Sequence, residues 1–185
     1  GTLWLGTYFG GVNYFNPEYE IYTRYSYSSN EKKGLSNPVV GRTIEDKDGN
    51  LWIGTEGGGL NYYNRRTREF KWYRPQEGRN SISHNNVKAL YYDADKEIIW
   101  IGTHLGGLNK LDIRSGHFTH YRMEEGNPAT LPSDIIRDII PYKSLLIVAT
   151  QNGVCLFNPA NGQCQQLFKD SKEGKSIKMI ADVTF

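Results

Sequence analysis

The sequence is poor in cysteine, in long apolar runs and in charge of one sign, and each shortage excludes a class of protein. Two cysteines in 185 residues are too few for a disulfide scaffold, and Cys155 and Cys164 lack the spacing of a metal site. The longest uninterrupted apolar run, Leu145 to Ala149, falls far short of the roughly 20 residues that a membrane-spanning helix needs. Basic and acidic residues number 22 and 20, so the electrostatic footprint of a nucleic-acid binder or a polybasic membrane anchor is missing. No glycine-rich phosphate loop, nucleophile elbow or zinc-protease helix motif occurs, and no catalytic residue, metal or cofactor is expected.

What the chain does have is glycine, 20 residues, and aromatics, 13%, both laid out with a period. Leu3-Trp4-Leu5-Gly6-Thr7 recurs as Leu51-Trp52-Ile53-Gly54-Thr55, as Ile99-Trp100-Ile101-Gly102-Thr103 and, degenerately, as Leu146-Ile147-Val148-Ala149-Thr150, at offsets of 48, 48 and 47. A glycine loop and a second strand follow each time: Gly10-Gly11-Val12-Asn13, Gly58-Gly59-Leu60-Asn61, Gly106-Gly107-Leu108-Asn109 and the shorter Gly153-Val154-Cys155. A third strand carries aromatics three apart, Tyr22 and Tyr25, Phe70 and Tyr73, Phe118 and Tyr121, with Cys164 and Leu167 in the last unit. Another β-prone run precedes each tryptophan strand, at Val39 to Asp46, Val87 to Asp93 and Ile135 to Tyr142. Tight turns such as Asp48-Gly49-Asn50 join the two.

Four short strands per unit with no helical periodicity predict one four-stranded antiparallel sheet per repeat, which is the blade of an all-β propeller. The expected units are about 1–25, 39–73, 87–121 and 135–168, with a lone first strand at 177–185. A β-solenoid competes poorly, because its coils are shorter and carry fewer hairpin turns. Inner strands covered on both faces lose strict alternation. Trp4, Trp52 and Trp100 are therefore expected to be blade core rather than ligand site, and Gly6, Gly54 and Gly102 to allow close approach. The first unit lacks its first strand and the last has only that strand. About four blades thus either close a ring on themselves or are cut from a larger one, which would leave unpaired edges that aggregate or pair with another chain.

Leu-Trp-Ile-Gly-Thr, Gly-Gly-Leu-Asn, Phe-x-x-Tyr and a Leu-Ser step before the next blade together resemble the two-component regulator propeller repeat. The step appears as Leu35-Ser36-Asn37, as Ile82-Ser83-His84 and, loosely, as Leu131-Pro132-Ser133. The resemblance implies the periplasmic sensor region of a hybrid two-component system, in which seven-bladed propellers precede an immunoglobulin-like domain, a membrane helix and a histidine kinase. It further implies ligands that are oligosaccharides released from polysaccharides, a homodimeric full-length sensor, and the remaining blades and downstream domains as partners in cis. The last unit departs from the pattern: Ile147 stands for tryptophan, Ala149 for glycine, and its loop is one residue shorter.

Propeller geometry brings the loop between the second and third strands to the same face as the linker into the next blade. The loop tips vary, Tyr8-Phe9, Glu56-Gly57, His104-Leu105 and Gln151-Asn152, inside a frame that barely changes. Sugars are held by aromatic faces and planar polar groups, so Tyr8, Phe9, Glu56, His104, Gln151 and Asn152 form the expected ligand-binding set. Tyr27, Arg79, His84 and Arg122 in the linkers stay outside it. A non-catalytic scaffold or dimerisation propeller and a propeller-fold carbohydrate-active enzyme are the alternatives.

Glu45, Asp46 and Asp93 recur at equivalent hairpins, which marks turn chemistry rather than a pair of hydrolytic carboxylates. His117 and His120, three apart on a strand, point to opposite faces and do not share a metal. Cys155 and Cys164 flank the Asn158–Gly162 turn as cross-strand or diagonal neighbours. They read as separate buried thiols, with a bridge in an oxidising periplasm as the alternative. Division into frame and loop tips predicts that Tyr8→Ala with His104→Ala leaves the melting temperature nearly unchanged. A fall as large as that of a core tryptophan variant would contradict it.

Overall fold

The structure is a computed structural model that describes residues 3–7, 9–16 and 21–167. Tyr8 and the expected strand at 177–185 lie outside the described residues. The chain divides into two compact units, Gly1–Val87 and Lys88–Phe185.

In the first unit, β1 (Leu3–Thr7), β2 (Gly11–Asn16) and β3 (Ile21–Tyr25) form a three-stranded antiparallel meander. A short 3-10 turn, Glu31–Lys33, leads to a four-stranded meander of β4 (Val40–Glu45), β5 (Leu51–Thr55), β6 (Gly59–Asn64) and β7 (Glu69–Tyr73). The expected first strand there is two residues shorter, because Asp46 belongs to the turn. Asp46 Oδ1 accepts from the Asp48 and Asn50 amides at 3.0 and 2.9 Å, while Gly49 takes a φ of 77°. Its other oxygen accepts from Trp52 Nε1 at 3.1 Å. Glu45 faces Arg65 at 3.7 Å. These carboxylates shape hairpins, as their repetition indicates.

The second unit starts within β8 (Val87–Asp93), which pairs in sequence order with β9 (Ile98–Thr103), β10 (Leu108–Asp112) and β11 (Phe118–Tyr121). Its other sheet is β12 (Ile136–Tyr142), β13 (Leu145–Thr150), β14 (Gly153–Phe157) and β15 (Cys164–Gln166). Each sheet is therefore a sequential antiparallel blade, with pairs such as Trp52↔Tyr62 and Trp100↔Lys110 holding the register.

Burial explains the repeated motif. β5 is buried at all five positions and β9 at all six, so side chains on both of their faces are covered. In the first unit Leu51, Ile53, Val12, Tyr63 and Phe70 share one cluster. In the second, Trp100, Leu108, Ile136, Val148 and Phe157 share another, with the Trp100 and Phe157 rings edge-on at 5.4 Å. Gly102 is required by close approach, since a Cβ there would stand 2.5 Å from the Ile136 side chain.

Trp4 departs from the expected core role. Trp52 and Trp100 are about 1% exposed, whereas Trp4 is only partly buried and its Nε1 has no partner among the described residues. No described strand pairs with the outer edge of β1, and Leu3 and Leu5 are 50% and 47% exposed where their counterparts Leu51 and Ile53 are fully buried. Trp4 meets the Tyr14 ring at a 43° tilt with centroids 4.7 Å apart, as Trp52 meets Tyr62, and lies under the Arg65 guanidinium at 5.4 Å.

Trp52→Ala, which removes a buried ring and the donor to Asp46, is expected to cost about 3–5 kcal/mol in denaturant unfolding. Trp4→Ala should cost less than half as much. Equal losses would show that burial does not separate the two positions.

Candidate functional site

The candidate site lies where the loops between second and third strands meet the linkers between sheets. The threonine ending each tryptophan strand closes its own loop: Thr7, Thr55, Thr103 and Thr150 Oγ1 donate to the carbonyls of Gly11, Gly59, Gly107 and Gly153 at 2.8–3.0 Å. Gly11, Gly59 and Gly107 have φ of 70–81°, and a Cβ on any of them would meet the carbonyl oxygen of Tyr25, Tyr73 or Tyr121 at 2.0–2.3 Å. Only glycine fits there. Each loop is thus fixed at its base and varies at its tip.

The linkers are pinned by the Leu-Ser step. Leu35 and Leu131 plunge into the two cores. Beside Leu35, the Asn61 carboxamide accepts from the Ser36 amide at 2.8 Å and donates to Ser36 Oγ at 2.8 Å. Two residues beyond each anchoring leucine or isoleucine, a side chain caps the backbone. Asn37 accepts from the Val39 amide, His84 Nδ1 from Asn86, and Ser133 from Ile135, at 2.8–3.1 Å. His84 is therefore a turn residue. Arg122 is likewise spent on holding the linker, donating to the Leu105 carbonyl at 3.2 Å and to Asp134 at 3.4 Å.

Within the second unit, the third linker and the β13–β14 loop line an open surface cavity of about 470 Å³. Met123, Pro128 and Pro132 give it apolar surface, and Glu124, Asn127, Asn152 and Gln166 give it planar polar groups. The linker wall is braced from inside: Asn127 Nδ2 donates to Glu124 at 2.9 Å, and the Glu124 amide donates to Thr130 Oγ1 at 3.0 Å. Glutamates 124 and 125 are the charged groups of the lining, so the cavity carries negative charge.

Of the expected set, Asn152 lines this cavity. Gln151 sits beside it in the same turn but accepts from Arg137 at 3.3 Å. His104 is half-buried in the β9–β10 loop of the same unit, next to the exposed Leu105 with its φ of 75°. Phe9, 71% exposed, and Glu56, whose backbone bridges Asn86, belong to the first unit. The linker residues of the cavity were not singled out from the sequence. The signal for them is Pro128 and Pro132, a pair of prolines that the other linkers do not match.

A second cavity, of about 460 Å³, lies in the first unit between Trp4, Tyr14, Tyr25, Arg65 and Arg68. Burial and the hydrogen bond to Tyr63 push the Tyr25 hydroxyl well above the ordinary phenol range. At the equivalent tryptophan, Trp52, the indole N–H donates to Asp46, whereas no described residue accepts from Trp4 Nε1.

The fold and loops define a propeller built of sequential four-stranded blades. Residues 34–57 and 81–104 match the two component regulator propeller family. Similar solved structures include the extracellular domain of the hybrid two-component system BT3049 from B. thetaiotaomicron, 25% identical with a TM-score of 0.77 over 91% of this chain and 23% of that one. The extracellular domain of BT4673 from the same organism is 26% identical, with a TM-score of 0.74 over 92% and 24% of the two chains. PorZ, a surface component of the type-IX secretion system of P. gingivalis, is 20% identical with a TM-score of 0.64 over 90% and 26%, and shows the fold alone. The chain spans about a quarter of the length of these structures. No curated protein matches it.

Asn61→Leu should strand the Ser36 amide and lower stability by about 1–3 kcal/mol. Unchanged unfolding would mean that the Leu-Ser step is not held by this carboxamide.

Proposed function

We propose that this chain is part of the ligand-recognising propeller of a periplasmic two-component sensor, and that it binds a neutral oligosaccharide in the cavity between the third linker and the β13–β14 loop. The observation that carries the reading is the convergence of Asn152 and a proline-braced linker on one cavity at the loop face. Extracytoplasmic sensing is supported by the likeness to extracellular domains of hybrid two-component systems. Met123, Pro128 and Pro132 suit the CH faces of a sugar ring, and the carboxamides of Asn152 and Gln166 match adjacent hydroxyl pairs. Glu124 and Glu125 favour neutral sugars over uronic or sialic acids, because a second negative charge would meet uncompensated carboxylates.

The chain itself performs no chemistry in this reading. The recurrent carboxylates are engaged in turns, and the likeness to sensor propellers supports a binding role. Phosphotransfer belongs to a histidine kinase elsewhere in the polypeptide, whose dimer transmits the occupancy of the propeller.

A thermal-shift screen of the 185-residue chain against neutral and acidic glycan fragments tests this. A neutral fragment should raise the melting temperature with occupancy. The double variant Asn152→Ala, Gln166→Ala should abolish the rise while melting within about 2 °C of the parent, as surface changes do. A rise that survives the double variant, or one seen only with acidic glycans, would overturn the assignment of this cavity.

A further inference from the structure

We propose that Cys155 and Cys164 form a disulfide that staples β15 to β14 and, through it, fixes the wall of the cavity. The two thiols are buried and their sulfurs stand 3.0 Å apart, closer than non-bonded sulfur atoms ordinarily rest. Closing to a disulfide length of about 2.05 Å takes roughly 1 Å of movement. The register pairs Phe157 with Cys164 and Cys155 with Gln166, so the cysteines are diagonal neighbours on adjacent strands.

The repeat shows what the pair replaces. Cys155 occupies the position at which Asn61 clamps Ser36, and Cys164 occupies the position of Phe70 and Phe118. This blade has thus given up both the carboxamide clamp and the ring, and its last strand has only three residues. A covalent link would restore what those substitutions remove. The same strand end holds the cavity: the Cys164 amide donates to the Ala129 carbonyl at 2.7 Å, and Gln166 lines the cavity. The bridge therefore anchors the linker wall through Ala129.

Each thiol loses its proton and the pair gives up two electrons to the disulfide of an oxidising dithiol protein or of glutathione, which is reduced to two thiols. The hydrogen bond to Cys164, and then burial, raise the Cys155 thiol far above the ordinary thiol range. Thiolate attack is accordingly slow once the sheet has closed, and the exchange takes place while β15 is still docking.

Formation in the cell rests on the extracytoplasmic reading for its oxidant, but the pairing itself is tested without it. The denatured, reduced chain is refolded with reduced and oxidised glutathione, quenched and desalted in acid, and alkylated without reductant in urea at neutral pH, where any free thiol reacts. The expected mass shows no adducts until a reductant is added. Reduction should lower the melting temperature by roughly 5–15 °C, and hasten protease cleavage between residues 123 and 132, in the parent and not in Cys155→Val, Cys164→Val. Two adducts on the refolded chain, a glutathione adduct on either cysteine, or a disulfide-linked dimer would overturn the proposal. A bridged chain that binds no glycan would leave the disulfide standing and count only against the cavity's ligand.

Discussion

Everything in this structure depends on the inner strands being covered on both faces. β5 and β9 bury every residue, which no isolated antiparallel sheet with one wet face can do. Such strands need cover on both faces. That requirement selects tryptophan to fill the space beside a neighbour, and glycine where the neighbour comes too close for a Cβ, as Ile136 does at Gly102. The period near 48 is the sequence expression of this packing.

The same requirement separates frame from function. The loop between second and third strands is closed at its base by a threonine hydroxyl and, in three of the four repeats, by a glycine with φ of 70–81°, so the side chains of its tip can vary while the tip backbone holds the neighbouring linker, as the Gln151 amide does at the Ile135 carbonyl. The linkers are fixed by different means, a buried leucine and a capping side chain. Varied loop tip and linker meet in the second unit along an open cavity beside Asn152.

Strand order, blade composition and the turn role of Asp46 were legible because they repeat, and repetition exposes which residues the backbone demands. The cavity was only half legible. Asn152 was found because loop tips stand out against a constant frame. Met123, Asn127 and Gln166 were missed because a linker has no period, and its path is set by contacts such as Cys164 to Ala129 that lie far apart in sequence. Trp4 shows the converse. Its motif matches that of Trp52 at four of five positions, with Leu5 for Ile53, yet its exposure differs because burial depends on the strand beside it and not on the motif.

The account stands on two-sided burial of the inner strands, and native-state hydrogen exchange measures it directly. Amides of β5, β9 and β13 should exchange only through the largest opening of their units, more slowly than those of β7, β11 and β15. Outer-strand amides as protected as the inner ones would contradict it, since protection would then follow hydrogen bonding within each sheet and not stacking between sheets.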